Sequence, residues 1–415
     1  MLKRSLAPPR LGVNGERLLE RLLALAEIGA IEGGGCCRLA LTDADRRGRD
    51  LVVGWMRDLG LEITIDRIGN IIAVRRGVED TEPVMTGSHI DTVATGGKYD
   101  GNLGVLAALE VVATLNDAGI ATRRPLAIGI FTNEEGARFA PDMLGSLVYA
   151  GGLPVEEALA IRGIDGAMLG EELARIGYAG STPCGAIKPH AYVELHIEQG
   201  PILDTEGVTI GAVHDLQGIS WQEVTITGQS NHAGTTPMRL RRDAGYCAAA
   251  ISYEVRRLVR EFGANQVGTV GVINLHPNLI NVVAARAKVT VDLRNTDESV
   301  LQDAERRLSA FLNELAEAEK VRIETRRLAR FEPVIFDESI VRLIEETAGE
   351  LGYSHRRMTS GAGHDAQMIA RLCPAAMIFV PSRNGISHNP AEFTEPFDLE
   401  AGANVLLGAV MKLAG

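Results

Sequence analysis

Leucine recurs at helical spacing almost at once. Leu18, Leu19, Leu22, Leu23 and Leu25 follow an Asn14-Gly15 start and predict a helix over 16–28. A second helix is predicted from Thr42 to Leu59, with Leu51, Val52 and Met56 inward and Gly60 as its stop. Glu62 to Val74 alternates and breaks at Gly69-Asn70, which predicts a hairpin. Short apolar strands that run into polar clusters come next. Pro83 to Thr86 ends at Gly87-Ser88-His89, and Leu126 to Phe131 ends at Thr132-Asn133-Glu134-Glu135. Tyr192 to Leu195 ends at His196, and Ala376 to Val380 leads toward His388. An apolar helix, Leu103 to Leu115, lies between the first two. This is the α/β pattern, in which ligands collect beyond the carboxyl ends of the strands.

The middle of the chain reads differently. Ile219 to Thr227 alternates, Arg242 to Phe262 is a long amphipathic helix, and Val267 to Leu275 and Arg286 to Leu293 alternate again. Ser299 to Ala318 is a further helix and Val321 to Arg326 a last strand. That order describes a small α+β sandwich, inserted as one block at 220–330, with residues 1–219 and 331–415 forming one α/β domain. A chain of 415 residues also exceeds one ordinary core, so two domains fit its length.

Composition narrows the function class more than the fold. A hydrophobic content of 46% and a charged content of 23% are those of a soluble globular protein. The net charge of −12 argues against nucleic acid or an anionic membrane as a partner, since both need a basic face. No apolar run approaches the ~20 residues that span a bilayer. The stretch from Met1 to Gly15 carries Lys3, Arg4 and two prolines without an apolar core, so no secretory signal is expected. Five cysteines, with Cys36 and Cys37 adjacent, form neither a disulfide framework nor a zinc-finger spacing. The expected setting is the reducing cytoplasm.

The placement of oxygen and nitrogen ligands changes the picture. Five separated, glycine-flanked segments offer His89 with Asp91, Asp100, Glu134 with Glu135, His196 with Glu198, and His388. His89 and Asp91, at i and i+2, face the same way on an extended backbone. His89 therefore reads as a ligand and Asp91 as the carboxylate that holds its other N–H. Glu198 stands in the same relation to His196. Asp100 precedes a helix, where capping is the alternative to bridging two ions. Glu134 and Glu135 sit at a strand-to-loop turn, where one can bind metal while the other takes a proton from water. The set suits two divalent ions sharing a carboxylate, with zinc, manganese, cobalt and nickel all compatible. Ions roughly 3.5–4 Å apart in such a pair polarise a carbonyl for hydrolysis.

The segments GSHIDTVATGGKYDGNLGVLAALEVV, FTNEEGARFAP, ELHIEQGPIL, NHAGTTPM, SGAGHDAQ and GISHNPAE resemble the hydantoinase/carbamoylase family. These are N-carbamoyl-L-amino acid hydrolases, ureidopropionases and allantoate amidohydrolases, within the clan of di-metal aminopeptidases and aminoacylases. The resemblance runs from about residue 15 to the C-terminus. It implies a di-zinc exopeptidase-like catalytic domain, with the inserted sandwich serving as a lid and as the dimerisation domain of a homodimer. It implies His89, Asp100, Glu135, His196 and His388 as ligands, Asp100 bridging, and Glu134 as general base beside Asp91. A histidine rather than an acid at position 196 separates this branch from the clan's peptidases. His232 would polarise the scissile carbonyl, and Asn281 and Arg294 would bind the substrate carboxylate. Gln199, Gly361 and Gly363 map onto the same pocket. The residues agree for Arg294, because a guanidinium at the end of an alternating strand suits a carboxylate; a surface salt bridge is the alternative.

The implied reaction is hydrolysis of a small ureido substrate, an N-carbamoyl-L-amino acid, to the amino acid, carbon dioxide and ammonia. The alternatives are allantoate or ureidopropionate hydrolysis, then N-acyl amino acid or dipeptide hydrolysis, then a binding protein that kept the fold without the chemistry. Thr95 and Tyr99 fill loop positions that vary within the family. The run from His214 to Trp221 looks closer to carbamoylases than to allantoate hydrolases.

Overall fold

Asn14 caps the first helix, Gly15–Ala26, by accepting from the Arg17 N–H, and Leu18, Leu22 and Leu25 turn inward. Thr42 caps Asp43–Asp58 in the same way through the Asp45 N–H. These elements belong to a computed structural model that describes residues 11–263 and 265–415. The basic stretch with Lys3 and Arg4 lies outside the described residues.

The chain divides into two compact units, one running to His214 and resuming at Phe336–Gly415, the other Asp215–Ile335. Along the chain the strands are β1 (Glu62–Ile65), β2 (Ile71–Arg75), β3 (Val84–His89), β4 (Leu126–Phe131), β5 (Ala191–Ile197) and β6 (Ile210–Leu216). The inserted unit adds β7 (Gly218–Thr227), β8 (Asn231–His232), β9 (Val267–His276), β10 (Val282–Val283), β11 (Arg286–Asn295), β12 (Arg322–Phe331) and β13 (Val334–Ile335). The chain then returns through β14 (His355–Ser360) and β15 (Ala375–Val380).

In the first unit the order is β1-β2-β4-β3-β5-β15-β6, with β14 beside β6. β4, β3, β5 and β15 are mutually parallel, and β1, β2 and β6 run antiparallel to their neighbours. The register sets His89 opposite Phe131 and His196 opposite Phe379, so the carboxyl ends of the parallel strands open at one edge. Every residue of β3, β4, β5 and β15 is buried, as expected of parallel strands covered on both faces. The helices Asn102–Asp117 and Pro396–Ala414 supply much of that cover and are themselves largely buried.

The inserted unit is a four-stranded antiparallel sheet in the order β12-β7-β11-β9. Helices Ala244–Phe262 and Glu298–Glu319 cover one face. Ile251, Val255, Leu301 and Leu308 from the helices meet Val224, Ile226, Val289 and Val291 from the sheet. β11 alternates strictly, with Ala287, Val289, Val291 and Leu293 inward. The unit is five residues wider at each end than the predicted 220–330 (220 − 215 and 335 − 330). The linking segments β6 and β13 pair with each other there, Val334 against Leu216 and Ile335 against Asp215.

Candidate metal centre

Each ligand-bearing segment sits where a parallel strand gives way to a loop. β3 continues through Gly87 and Ser88 to His89, whose ring is fully buried. His89 Nδ1 donates to the backbone carbonyl of Asp91 at 2.9 Å, leaving the Nε2 lone pair facing Asp100 Oδ1 at 3.9 Å and Glu134 Oε2 at 3.4 Å. Burial lowers the pKa of this ring to about 4, so it stays neutral, as a ligand must be. His196, near the end of β5, repeats the arrangement. Its Nδ1 donates to Ile197 O at 2.8 Å and its Nε2 lies 3.1 Å from Asp100 Oδ1.

The expected role of Asp91 needs correction. Its backbone carbonyl orients His89, while its carboxylate lies 3.9 Å from the ring nitrogen. That carboxylate instead accepts the N–H groups of Glu134 at 3.2 Å and Glu135 at 3.3 Å, fixing the turn after β4. Glu198 does not repeat even this. It accepts the N–H groups of Ile202 and Leu203 and so caps the short helix Ile202–Glu206. In both cases a backbone carbonyl was the nearer acceptor for the histidine.

Asp100 occupies the centre. The following helix, Asn102–Asp117, begins at Gly101 with no side-chain cap, so the Asp100 carboxylate is free of that task. Oδ1 faces His89 and His196, while Oδ2 faces His388 Nε2 at 3.2 Å and accepts from Gln199 Nε2 at 2.9 Å. Burial opposes its ionisation, yet the His196 and His388 rings beside it outweigh that and hold its carboxyl well below the usual range. Gly101 is required beside it. Its φ is +66°, and a Cβ there would lie 2.3 Å from the His89 ring.

His388 comes from the loop after β15. It is half-exposed, has φ +53°, and lies 3.3 Å from Glu135 Oε2. Burial, with Asp100 and Asp91 nearby, pushes the Glu135 carboxyl well above its usual range. Glu134 is raised in the same direction by burial and then by Asp365, Glu135 and Asp91.

Two trios result, His89/Asp100/His196 and Asp100/Glu135/His388, each with ligand atoms within 4.8 Å of one another and Asp100 shared. Buried carboxylates that repel one another, faced by imidazole lone pairs, are the donor set of a divalent cation site. A third grouping, Glu194/His196/His364, is less open to an ion. Glu194 already accepts from the Ser88 hydroxyl, the Tyr192 hydroxyl and the Ala366 N–H.

Three residues around the centre escaped the sequence reading. Arg38 is fully buried and bonds Ile90 O, between His89 and Asp91. His364 stands at the N-cap of the helix Asp365–Ile369, and its ring packs 4.5 Å from His196. Glu392 accepts the Asp100 N–H, and its only signal was its place in the GISHNPAE run. Gly361 and Gly363 lie in the partly open loop between β14 and that helix.

The remaining predicted residues belong to the inserted unit. His232 in β8 is exposed and pairs with Val282 of β10, next to the exposed Asn281. Its Nδ1 accepts from Gly234 N–H at 3.0 Å, so the neutral ring carries its proton on Nε2, facing outward. Arg294 lies near the far end of β11. There its guanidinium grips the Asp292 carboxylate at 2.9–3.1 Å and stands 5.9 Å from the Trp221 ring centre. The ion pair weighed as its alternative is thus present.

Comparison with known proteins gives a consistent picture. The sequence profile described as peptidase family M20/M25/M40 matches residues 85–412. An N-carbamoyl-L-amino-acid amidohydrolase of Rhizobium meliloti is 43% identical over 403 residues, covering 97% of each chain. One from Geobacillus stearothermophilus is 41% identical over 407 residues, covering 97% of this chain and 99% of its own. The crystal structure of a hydantoinase/carbamoylase family amidase from Burkholderia multivorans superposes with a TM-score of 0.91 at 47% identity. It covers 98% of this chain and 99% of that one.

Proposed function

Since the chain belongs to peptidase family M20/M25/M40, and within it to the hydantoinase/carbamoylase amidases, we propose that it is a metal-dependent N-carbamoyl-L-amino acid amidohydrolase. The reaction converts R-NH-CO-NH2 and water to R-NH2, carbon dioxide and ammonia. One observation carries the reading: Asp100 turns each oxygen toward a different ligand trio, with Glu134 beside them in neither trio.

His89, Asp100 and His196 would hold one divalent ion, and Asp100, Glu135 and His388 the other. Zinc, manganese, cobalt and nickel all suit these donors. When bound, such ions act as Lewis acids on a carbonyl and ease the ionisation of water. Glu134, anchored through its N–H by Asp91, takes the proton of the attacking water and returns it to the leaving nitrogen. A carboxyl raised by burial is matched to both halves of that transfer. Gln199 and the Gly361–Gly363 backbone border the substrate on this side.

The inserted unit carries the remaining substrate-binding candidates. His232 presents an Nε2–H, the tautomer that polarises a carbonyl, and Asn281 and Arg294 take the carboxylate. The length of β11 bears on how they meet. β11 leaves the β8–β10 ribbon near Arg286, and Arg294 lies eight residues on, ~26 Å along the strand. A small ureido acid is much shorter, so His232 and Arg294 of one chain would not both touch it. We therefore read the enzyme as a homodimer, the His232 and Arg294 that serve one substrate coming from different chains. β9 supports this, since it is an edge strand with Val272, Ile273 and Leu275 exposed. The cytoplasm is its expected compartment.

The test is ammonia release from an N-carbamoyl-L-amino acid by protein stripped with chelator, then reloaded with manganese or cobalt. Activity lost on stripping and regained on reloading is expected. Equal activity in the stripped protein would remove the metal role.

A further inference from the structure

Glu392 carries none of the ligand or catalytic roles above, yet the residue is only 4% exposed and both its carboxylate oxygens accept hydrogen bonds. Oε1 accepts two backbone N–H groups, of Tyr99 at 3.0 Å and of Asp100 at 3.2 Å. Oε2 accepts from the Ser387 hydroxyl at 3.0 Å, one residue before His388. A single side chain thus ties the loop that carries Asp100 to the loop that carries His388.

The close approach is built into the backbone. A Cβ at Gly97 would lie 2.0 Å from Glu392 Oε1, so only glycine lets that turn rest against the carboxylate. Beside it the Tyr99 and Phe393 rings meet edge to face, with centroids 6.1 Å apart. The left-handed backbone of His388 is a conformation that persists only where the surroundings over-determine it. The Ser387–Glu392 bond and the Glu392 N–H to Asn389 O bond at 2.9 Å bracket that residue. His89 and His196 have separate supports, the carbonyls of Asp91 and Ile197.

We propose that Glu392 is a positioning residue: by clamping the Tyr99 and Asp100 amides to Ser387, it sets the spacing of Asp100 Oδ2 and His388 Nε2, and so the affinity of the Asp100/Glu135/His388 position for its ion. The inference rests on the metal reading above and deepens it. Loss of the clamp weakens that position most, because His388 has the more exposed ring and the strained backbone. The His89/Asp100/His196 position shares only Asp100 with it.

Cobalt(II) titration of metal-stripped protein, followed by visible absorbance, separates the two positions. Wild type is expected to take up two ions. In Glu392→Ala the weaker dissociation constant should rise at least about tenfold, the scale of losing a partner that orients a ligand, while the tighter one moves by less than about threefold. Glu392→Gln keeps an oxygen for the two amides and an N–H2 for Ser387, so it should restore affinity to within about threefold of wild type. Two unchanged constants in Glu392→Ala overturn the proposal. So does a Gln variant as weak as Ala, which would make the role one of charge alone. Should Glu392→Ala yield no folded protein, Ser387→Ala decides, since it removes one hydroxyl and leaves Glu392 in place. Its weaker constant should rise at least about threefold, and an unchanged one overturns the clamp. Wild type that takes up fewer than two ions overturns the two-ion reading itself, and this inference with it.

Discussion

Replacing Arg38 with methionine should destabilise the catalytic unit without removing any ligand. The guanidinium is fully buried and donates to four oxygen acceptors, with Cys36 Sγ 3.2 Å from Nη1 as a weaker fifth. Nε reaches Ile90 O at 2.7 Å, Nη1 reaches Leu25 O at 2.9 Å and Ile28 O at 2.7 Å, and Nη2 reaches Asn102 Oδ1 at 2.8 Å. These acceptors join the end of the first helix, the residue between His89 and Asp91, and the start of the helix after Asp100. Methionine fills most of the volume and donates nothing. Hydrogen bonds from a charged donor contribute about 1.5–3 kcal/mol each, so four independent ones would total about 6–12 kcal/mol. Relief of the buried charge offsets several kcal/mol of that, leaving a net loss of about 3–5 kcal/mol. At about 2 °C per kcal/mol for a large unit, the melting temperature should fall by roughly 6–10 °C. Thermal melting of the metal-free protein by circular dichroism reads this directly. Arg38→Lys, which can serve only part of the acceptor set, should fall between. A methionine variant that melts within about 2 °C of wild type would refute the reasoning.

Other expectations follow from the same geometry. Glu134→Gln should lower kcat by about 10²–10⁴ while two cobalt ions still bind; a variant within about tenfold of wild type would take Glu134 out of the proton transfer. Gly101→Ala places a methyl 2.3 Å from the His89 ring at φ +66°, so cobalt uptake and hydrolysis should fall together, and an unchanged titration would contradict the packing. Ile273→Lys puts a charge on the β9 edge, where Ile273 is 47% exposed. Sedimentation should show monomer with hydrolysis lost, and an active monomer would contradict the homodimer reading.

Periodicity reads elements whose residues answer to water or to the core. β4 was legible as Leu126 to Phe131 because it is apolar throughout, and the inserted sheet because β11 alternates. β3 and β5 run further than predicted because Ser88 and His196 are polar yet buried, and face partners distant in sequence, such as Ser88 to Glu194 and His196 to Asp100. The ligand histidines were visible as residue types beside glycine. The groups that aim them were not, because a backbone carbonyl of Asp91 or Ile197 has no signature in composition. Nothing in the sequence around Arg38 and Arg49 marks them, yet both are buried. Only the fold brings carbonyls such as Ile90 O and Gly69 O around them.

The central claim is that this buried centre hydrolyses a ureido bond beside a carboxylate. It is tested most directly by kcat/KM on metal-reloaded protein for an N-carbamoyl-L-amino acid, its D enantiomer, allantoate, an N-acetyl-L-amino acid and a dipeptide, measured side by side. The account predicts the N-carbamoyl-L-amino acid as the best substrate by at least about tenfold, or about 1.4 kcal/mol of transition-state preference. Turnover of allantoate, the N-acetyl compound or the dipeptide with none of the carbamoyl compound would contradict it.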